Sequence, residues 1–455
     1  MAPSLEELAP IAPVVSIDVP KSFNYGPSVI QPNLQFNDGP VPEKNRIDGT
    51  DVTGLKIPPA PPLDVLEKFT GTFRGFGFNT IFRPSSRRTE TKFDKPPTDN
   101  IKDNVLQLNL TGETQVFGKV LEHVPNRGLF DQADIDLTGV PYTQTIIDAM
   151  PPLEGEPAPE DPPGIHFEPG LWMRVPQVEQ TPKLSASFCR MGSIPHGTTI
   201  NAQGFEPAKT NSGAPDIDAI DITPIILPLG NGPQEIEIEK AKRRFNSQNA
   251  DDDASRRLPQ DLSLFMANGT ITQAILDDPN TILRDANKGK DIVQNTMFIV
   301  STNAPADGFG GGTTNIGFNI GSDAGLERPP PANGGNANAV DVTAQYWVST
   351  IRTEVELDPS MKIGQTVSPA AQDPRDAVPE FFLDEGVTIP STKKTVTVAY
   401  TQIQYSQMVF LDFNGIKWPH VTVATLAPIV SLKTPTLSSA IAEAETLLKD
   451  SSRQN

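Results

Sequence analysis

Proline restricts this chain more than any other residue: 46 of its 455 positions are Pro. Each one fixes φ and removes a backbone N–H, so it breaks a helix interior but suits turns, edges and extended segments. A chain punctuated this often has room for few long helices. Its length suits two or three average domains, or a single large all-β barrel that carries insertions. An apolar content of 37 % is enough for a buried core, though a lean one.

The patterns along the chain fit the barrel. Residues 1–62 form a Pro-rich N-terminal arm ending in the stiff run IPPAPPLD. The folded body, 63–430, opens with a short helical turn at Leu63–Lys68 and a Gly- and Phe-rich strand through Ile81. In segment 101–117, Val105, Gln107 and Asn109 alternate with Leu106, Leu108 and Leu110, the period of a half-buried strand. Further strands are expected at 132–148, 164–176, 186–193, 197–205, 217–230, 293–303, 342–357, 394–413 and 419–427, with a short one at 315–320. In the 394–413 strand, Ile403, Tyr405, Val409, Leu411 and Phe413 share one face and Gln402, Gln404 and Ser406 the other.

Two insertions interrupt the strands. One, 235–290, begins charged and exposed (235–257) and continues with three short helices. Asp261 caps the first, Ile271, Ile275 and Leu276 mark the second, and Asp278-Pro279 opens the third. The other is a Gly/Asn-rich loop, 305–340, whose GFGGGTTN lacks the Lys-Ser/Thr ending of a phosphate loop. Residues 431–455 are a C-terminal helix and tail. Thr434 or Thr436 caps this helix, and Leu437, Ile441, Ala444 and Leu448 form its stripe. About ten strands with little helix predict an all-β antiparallel barrel or sandwich. No repeat of roughly 20–50 residues supports a solenoid or propeller.

Charge excludes some partners. A net charge of −19 and a pI near 4.7 leave no basic surface for nucleic acid and disfavour anionic membranes. A single cysteine, Cys189, allows no intrachain disulfide. No apolar run has transmembrane length, and the N-terminus lacks a signal-peptide pattern, so a cytoplasmic protein is expected.

Only four histidines are available for metal or acid–base chemistry: His123, His166, His196 and His420. They lie in LEHVPNRG, GIHFEPGLWMRVP, RMGSIPHGTTI and FNGIKWPH. His123 sits in a turn and reads as structural. His166 and Glu168, two apart on one strand face, suggest a carboxylate that orients an imidazole, or simply a mutual hydrogen bond. No two histidines lie closer than thirty residues, so a zinc site needs assembly by the fold. There is no G-x-S-x-G nucleophile elbow. Cys189 reads as inert core rather than as a thiol paired with His196.

FTGTFRGFGFNTIFRP (Phe69 to Pro84) resembles the opening strand of calycin barrels, with Gly71, Phe73, Gly75 and Gly77 matching G-x-F-x-G-x-G. It is similar above all to the nitrobindin-like, fatty-acid-binding-protein-like heme barrels. LTGETQVF, GIHFEPGLWMRVP, RMGSIPHGTT and FNGIKWPHVTVATL resemble segments of a bacterial and fungal heme-binding group with a calycin-like barrel. The resemblance covers roughly residues 64–230 and 291–427. It implies a calycin-like β-barrel holding heme b through one histidine near the C-terminal strand, which is His420 here, with His196 as the alternative ligand. The heme slot would then draw on Phe73, Phe76, Phe78, Trp172, Met173, Met191, Tyr405 and Trp418. Arg74, Arg127 or Arg174 would meet the propionates. His196 or His166, with Glu168, would supply distal acid–base groups for peroxidase-like or other redox chemistry on a small hydrophobic or peroxide-type ligand. The absence of C-x-x-C-H excludes covalent c-type heme attachment. A non-enzymatic carrier of a small hydrophobic ligand and a cofactor-free barrel enzyme of secondary metabolism are the alternatives.

Overall fold

The computed structural model describes residues 61–85, 91–98, 104–128, 131–151, 160–181, 183–195, 197–205, 207–226, 241–303, 311–315, 338–413 and 416–453. Ten strands form a closed antiparallel barrel. In chain order they are β1 (Gly71–Pro84), β2 (Asn104–Phe117), β3 (Ile135–Asp148), β4 (Gly164–Val175) and β5 (Ser187–Ser193). They continue as β6 (Thr198–Gly204), β7 (Asp291–Ser301), β8 (Asn338–Leu357), β9 (Lys394–Phe413) and β10 (Ile416–Ile429). Around the ring the order is β2-β1-β10-β9-β8-β7-β6-β5-β4-β3, and β3 returns to β2 through Tyr142–Asp148 against Phe117–Thr111. Strands β6 and β7 meet only at Gln203 and Ser301. The short strands Lys209–Ser212, on β7, and Gly312–Asn315, on β6, complete that seam.

Glycines allow β1 to press against β10. A Cβ at Gly75 would lie 2.0 Å from the Thr425 carbonyl oxygen, and one at Gly77 would lie 2.1 Å from that of Val423. Only glycine fits such close backbone contacts. One barrel end is sealed by the 3-10 turn Asp64–Lys68, which brings Leu66 and Phe69 onto Phe73, Phe117, Trp172, Phe298 and Tyr346. Trp172 meets its neighbours edge-on, Phe69 at 5.5 Å and 82° and Tyr346 at 5.0 Å and 89°, while Phe298 and Tyr346 stack at 5.3 Å and 12°.

The insertion covers the outside of β1, β2 and β10 with a second apolar layer that includes Phe78, Leu106, Leu108, Leu110, Val421 and Val423. Its three short helices span Ser263–Ala267, Gln273–Asp277 and Thr281–Ala286. Thr272 caps the second through Ile275 N–H, a cap the sequence pattern did not mark. The third starts at Thr281 after Asn280; Asp278 instead accepts from the backbone N–H groups of Ile220 and Asn280.

Several expectations need correction. Segment 235–257 is described from residue 241 onward, and there it is not an exposed charged run: Phe245, Ser247, Gln248, Ala250 and Arg257 are buried. The Arg257 guanidinium donates to the carbonyls of Ser247, Asn249, Ala250, Asp252, Pro259 and Gln260, so a charged residue staples the insertion from within. Segment 217–230 is described to residue 226, and there the two-residue strand Ile225–Ile226 is its only strand. The C-terminal helix, Leu437–Arg453, starts beside Thr436, whose hydroxyl accepts from Ser439 N–H. It buries Leu437, Ala440 and Ala444, while Leu448 stays exposed. No described helix is long and apolar enough to cross a membrane. The N-terminal arm to residue 60, residues 305–310 and 316–337 of the Gly/Asn-rich loop, and His196 lie outside the described residues.

Candidate functional site

Alternation along each strand decides what enters the barrel. On β9 the face bearing Ile403, Tyr405, Val409 and Leu411 points inward, and Gln407 shares it. Gln404 points outward yet stays buried, bonded to the Leu283 carbonyl under the insertion. On β2 the apolar Leu face points outward beneath the insertion, and Gln107 and Asn109 point in. Both faces of these strands are buried, so the inner face is free to be polar.

A polar layer crosses the barrel above the sealed end. At its centre Arg190 of β5 donates through Nη2 to both Glu168 carboxylate oxygens at 2.9 Å. It also donates to Tyr142 Oη at 3.0 Å, Tyr346 Oη at 2.9 Å and Gln407 Oε1 at 2.5 Å. Tyr142 donates in turn to Glu168. Burial alone would raise the Glu168 pKa, but the Arg190 charge and the bonds from His166 and Tyr142 outweigh it and bring it down to about 2. A second acid, Glu113 of β2, accepts from Tyr405 at 2.6 Å, Gln115 at 2.7 Å and Gln144 at 2.8 Å. Its complete burial outweighs those bonds and holds its carboxyl above the usual range. Burial likewise raises the Tyr142, Tyr346 and Tyr405 phenols.

Above this layer the barrel encloses a cavity of about 430 Å³. Its walls are Ile81, Ile146, Ile165, Ile194, Val342, Val409 and Leu411, and its polar lining includes Gln144, Tyr405 and Gln407. His166 and His420 both line it. They stand on β4 and β10, four strands apart in the ring of ten. His166 Nε2 lies 3.4 Å from Glu168 Oε2, so the pair expected at that spacing forms. His420 Nε2 meets Asn79 Oδ1 at 2.8 Å. Asn79 donates on to Asn109 at 3.3 Å, and Asn109 to Asp148 at 2.9 Å, which makes a polar rail along the wall.

The other expected site residues lie elsewhere. Phe73 and Trp172 fill the sealed end. Phe78 belongs to the outer layer, and Trp418 packs on Phe82 and Phe245 at 5.4 and 5.5 Å, away from the cavity. Tyr405 lines the cavity from its polar layer. Phe76 lies under the Arg375 guanidinium, and Met173 and Met191 pack with Cys189 in a separate cluster. Arg74, Arg127 and Arg174 pair with Glu380, Asp134 and Asp64, and none of the three lines the cavity. His123 bonds Asp136 at 2.5 Å on the strand Leu121–Asn126. Burial raises the Cys189 thiol, which fits an inert core residue.

Phe73, Phe78, Trp172 and Trp418 do not form the flat aromatic slot a heme needs, because they pack within the sealed end or against the insertion, and Tyr405 alone of the named rings faces the cavity. Among the described residues, no cluster of three or more His, Cys, Asp or Glu groups could hold a metal ion. Residue patterns had not singled out Arg190, Glu113, Gln144, Gln407, Asn79 or Arg83. The one available signal was polarity at period 2: Gln107 and Asn109 on an otherwise apolar strand, and Arg190 inside FCRMG. No family model matches this chain, and neither a curated protein nor a solved structure matches it.

Proposed function

We propose that this barrel binds a small, mainly apolar molecule that carries an oxygen-containing end. The observation that carries the reading is the cavity itself: about 430 Å³, walled by Ile, Val and Leu, and floored by amides and a phenol whose hydrogen bonds hold them in place. Apolar walls with a few fixed polar groups are the usual make-up of a small-molecule site. Arg190 stabilises the floor by tying β5 to residues on β3, β4, β8 and β9, so the cavity keeps its shape before a ligand arrives.

A heme is the second reading, favoured by His166 on its ionised carboxylate partner, the device that orients a ligating imidazole. It is the weaker one, because no described arginine named for the propionates reaches the cavity. Purified protein separates the two readings. Organic extraction and mass spectrometry should release a small apolar molecule, and a Val409→Trp variant, with the cavity filled, should release none. A Soret band in the protein as isolated, lost in His420→Ala or His166→Ala, would overturn this order. Equal yields of one compound from wild type and Val409→Trp would remove the cavity from the account.

A further inference from the structure

The chain carries 56 acidic against 37 basic residues. Among the described residues, however, no Asp or Glu lines the cavity, whereas Arg83, His166 and His420 do. Glu168 and Glu113 lie beneath the lining, engaged by Arg190 and Tyr142 and by Tyr405, Gln115 and Gln144.

Arg83 sits near the end of β1 away from the plug. Its strand neighbour Ile81 faces His420 on β10 and Gln107 on β2. Arg83, Gln107 and His420 all line the cavity, so they form an arc around Ile81. Arg83 donates to Gln107 Oε1 at 3.2 Å and to Thr91 Oγ1 at 2.9 Å. A guanidinium has five N–H groups, so these two bonds leave donors over. The bond from Arg83 occupies Gln107 Oε1 and so leaves the amide nitrogen as a second donor. Arg74, Arg127, Arg174 and Arg190 each pair with a carboxylate, but Arg83 has none among the described residues. A planar guanidinium beside an amide donor matches the two oxygens of a carboxylate.

We propose that the cavity takes a carboxylic acid with an apolar chain. Its carboxylate sits on Arg83, with Gln107 and His420 alongside, and its chain runs inward along Ile81, Val409 and Ile146. This inference rests on the reading of the cavity as a small-molecule site and adds the ligand's charge.

Calorimetric titration with octanoate and octan-1-ol tests it, because the two share a chain and differ in the anionic end. Wild type should bind octanoate about tenfold more tightly than octanol, the scale of a hydrogen bond to a charged group. Arg83→Gln should lose about that factor for octanoate and keep its octanol affinity, which also shows that the variant is folded. Added salt should weaken octanoate binding alone. Octanol binding as tightly as octanoate, or Arg83→Gln binding octanoate like wild type, overturns the carboxylate seat and leaves the cavity reading standing. Failure of both probes to bind wild type, or binding of both that persists in Val409→Trp, overturns the cavity reading and this inference with it.

Discussion

Strand β9 delivers Ile403 to the sealed end of the barrel and Val409 and Leu411 to the cavity, with Tyr405 and Gln407 between them in the polar layer. Strand β1 makes the same transition from Phe73 to Asn79 and Ile81, and β10 from Leu426 to Thr422 and His420. At the sealed end large rings reach across the barrel and interlock, and the plug residues Leu66 and Phe69 fill what remains. In the cavity the aliphatic walls are short, and Asn79, Asn109 and Asp148 bond sideways along the wall, while Gln144 and Gln407 bond across the barrel at the floor. Side-chain size separates solid core from hollow: rings fill one end and aliphatic side chains line the other. The Arg190–Glu168 layer marks the boundary.

The largest effect should come from that boundary. Glu168→Gln leaves the Arg190 charge buried without its partner, and stability should fall by about 3–5 kcal/mol in denaturant unfolding. A loss under about 1 kcal/mol would mean that water reaches Arg190 and that the layer does not seal the barrel. Truncations at the two ends come next. Phe298→Ala, in the ring cluster, should cost about 3 kcal/mol through the void it opens. Val409→Ala should cost about 1 kcal/mol, because its methyls already border free space. Equal costs would erase the contrast between solid and hollow ends.

The two buried acids should act oppositely with pH. Glu168 is depressed when folded, so its contribution is complete above its ordinary 4.5 and is lost as pH falls through about 2. Glu113 is raised when folded, so stability declines as pH rises from the ordinary carboxylate range through its folded value. Glu113→Gln should flatten that decline and keep the acid limb, as read from unfolding midpoints across pH. A decline that persists in Glu113→Gln would place its origin elsewhere. The smallest effect should be at Arg74, whose side chain is 57 % exposed: Arg74→Ala should cost less than about 1 kcal/mol and leave ligand binding unchanged.

Local pattern made most of the barrel legible. Alternation located the strands, and Gly75 and Gly77 marked a close strand approach, which is to β10. The ends of the helical insertion were less legible, because Arg257 holds it through backbone carbonyls that no side-chain pattern records. For the site, the His166–Glu168 pair followed from its spacing of two. His420 was singled out as an iron ligand and lies on the cavity wall bonded to Asn79. The inward polar face of β2 was obscured because Leu106, Leu108 and Leu110 look like a barrel interior and instead meet the insertion. Which face of a strand is the inside depends on what covers the outside, and that information lies in residues far along the chain. The partners of Arg190 come from four other strands for the same reason.

The most direct test of a barrel that is solid at one end and hollow at the other is titration of N-phenyl-1-naphthylamine, a neutral probe that fluoresces in apolar surroundings, into wild type and Val409→Trp. One saturable site per chain in wild type, abolished in a Val409→Trp protein that unfolds at the same or higher denaturant concentration, is the predicted result. Saturable binding that survives the tryptophan unchanged would contradict it.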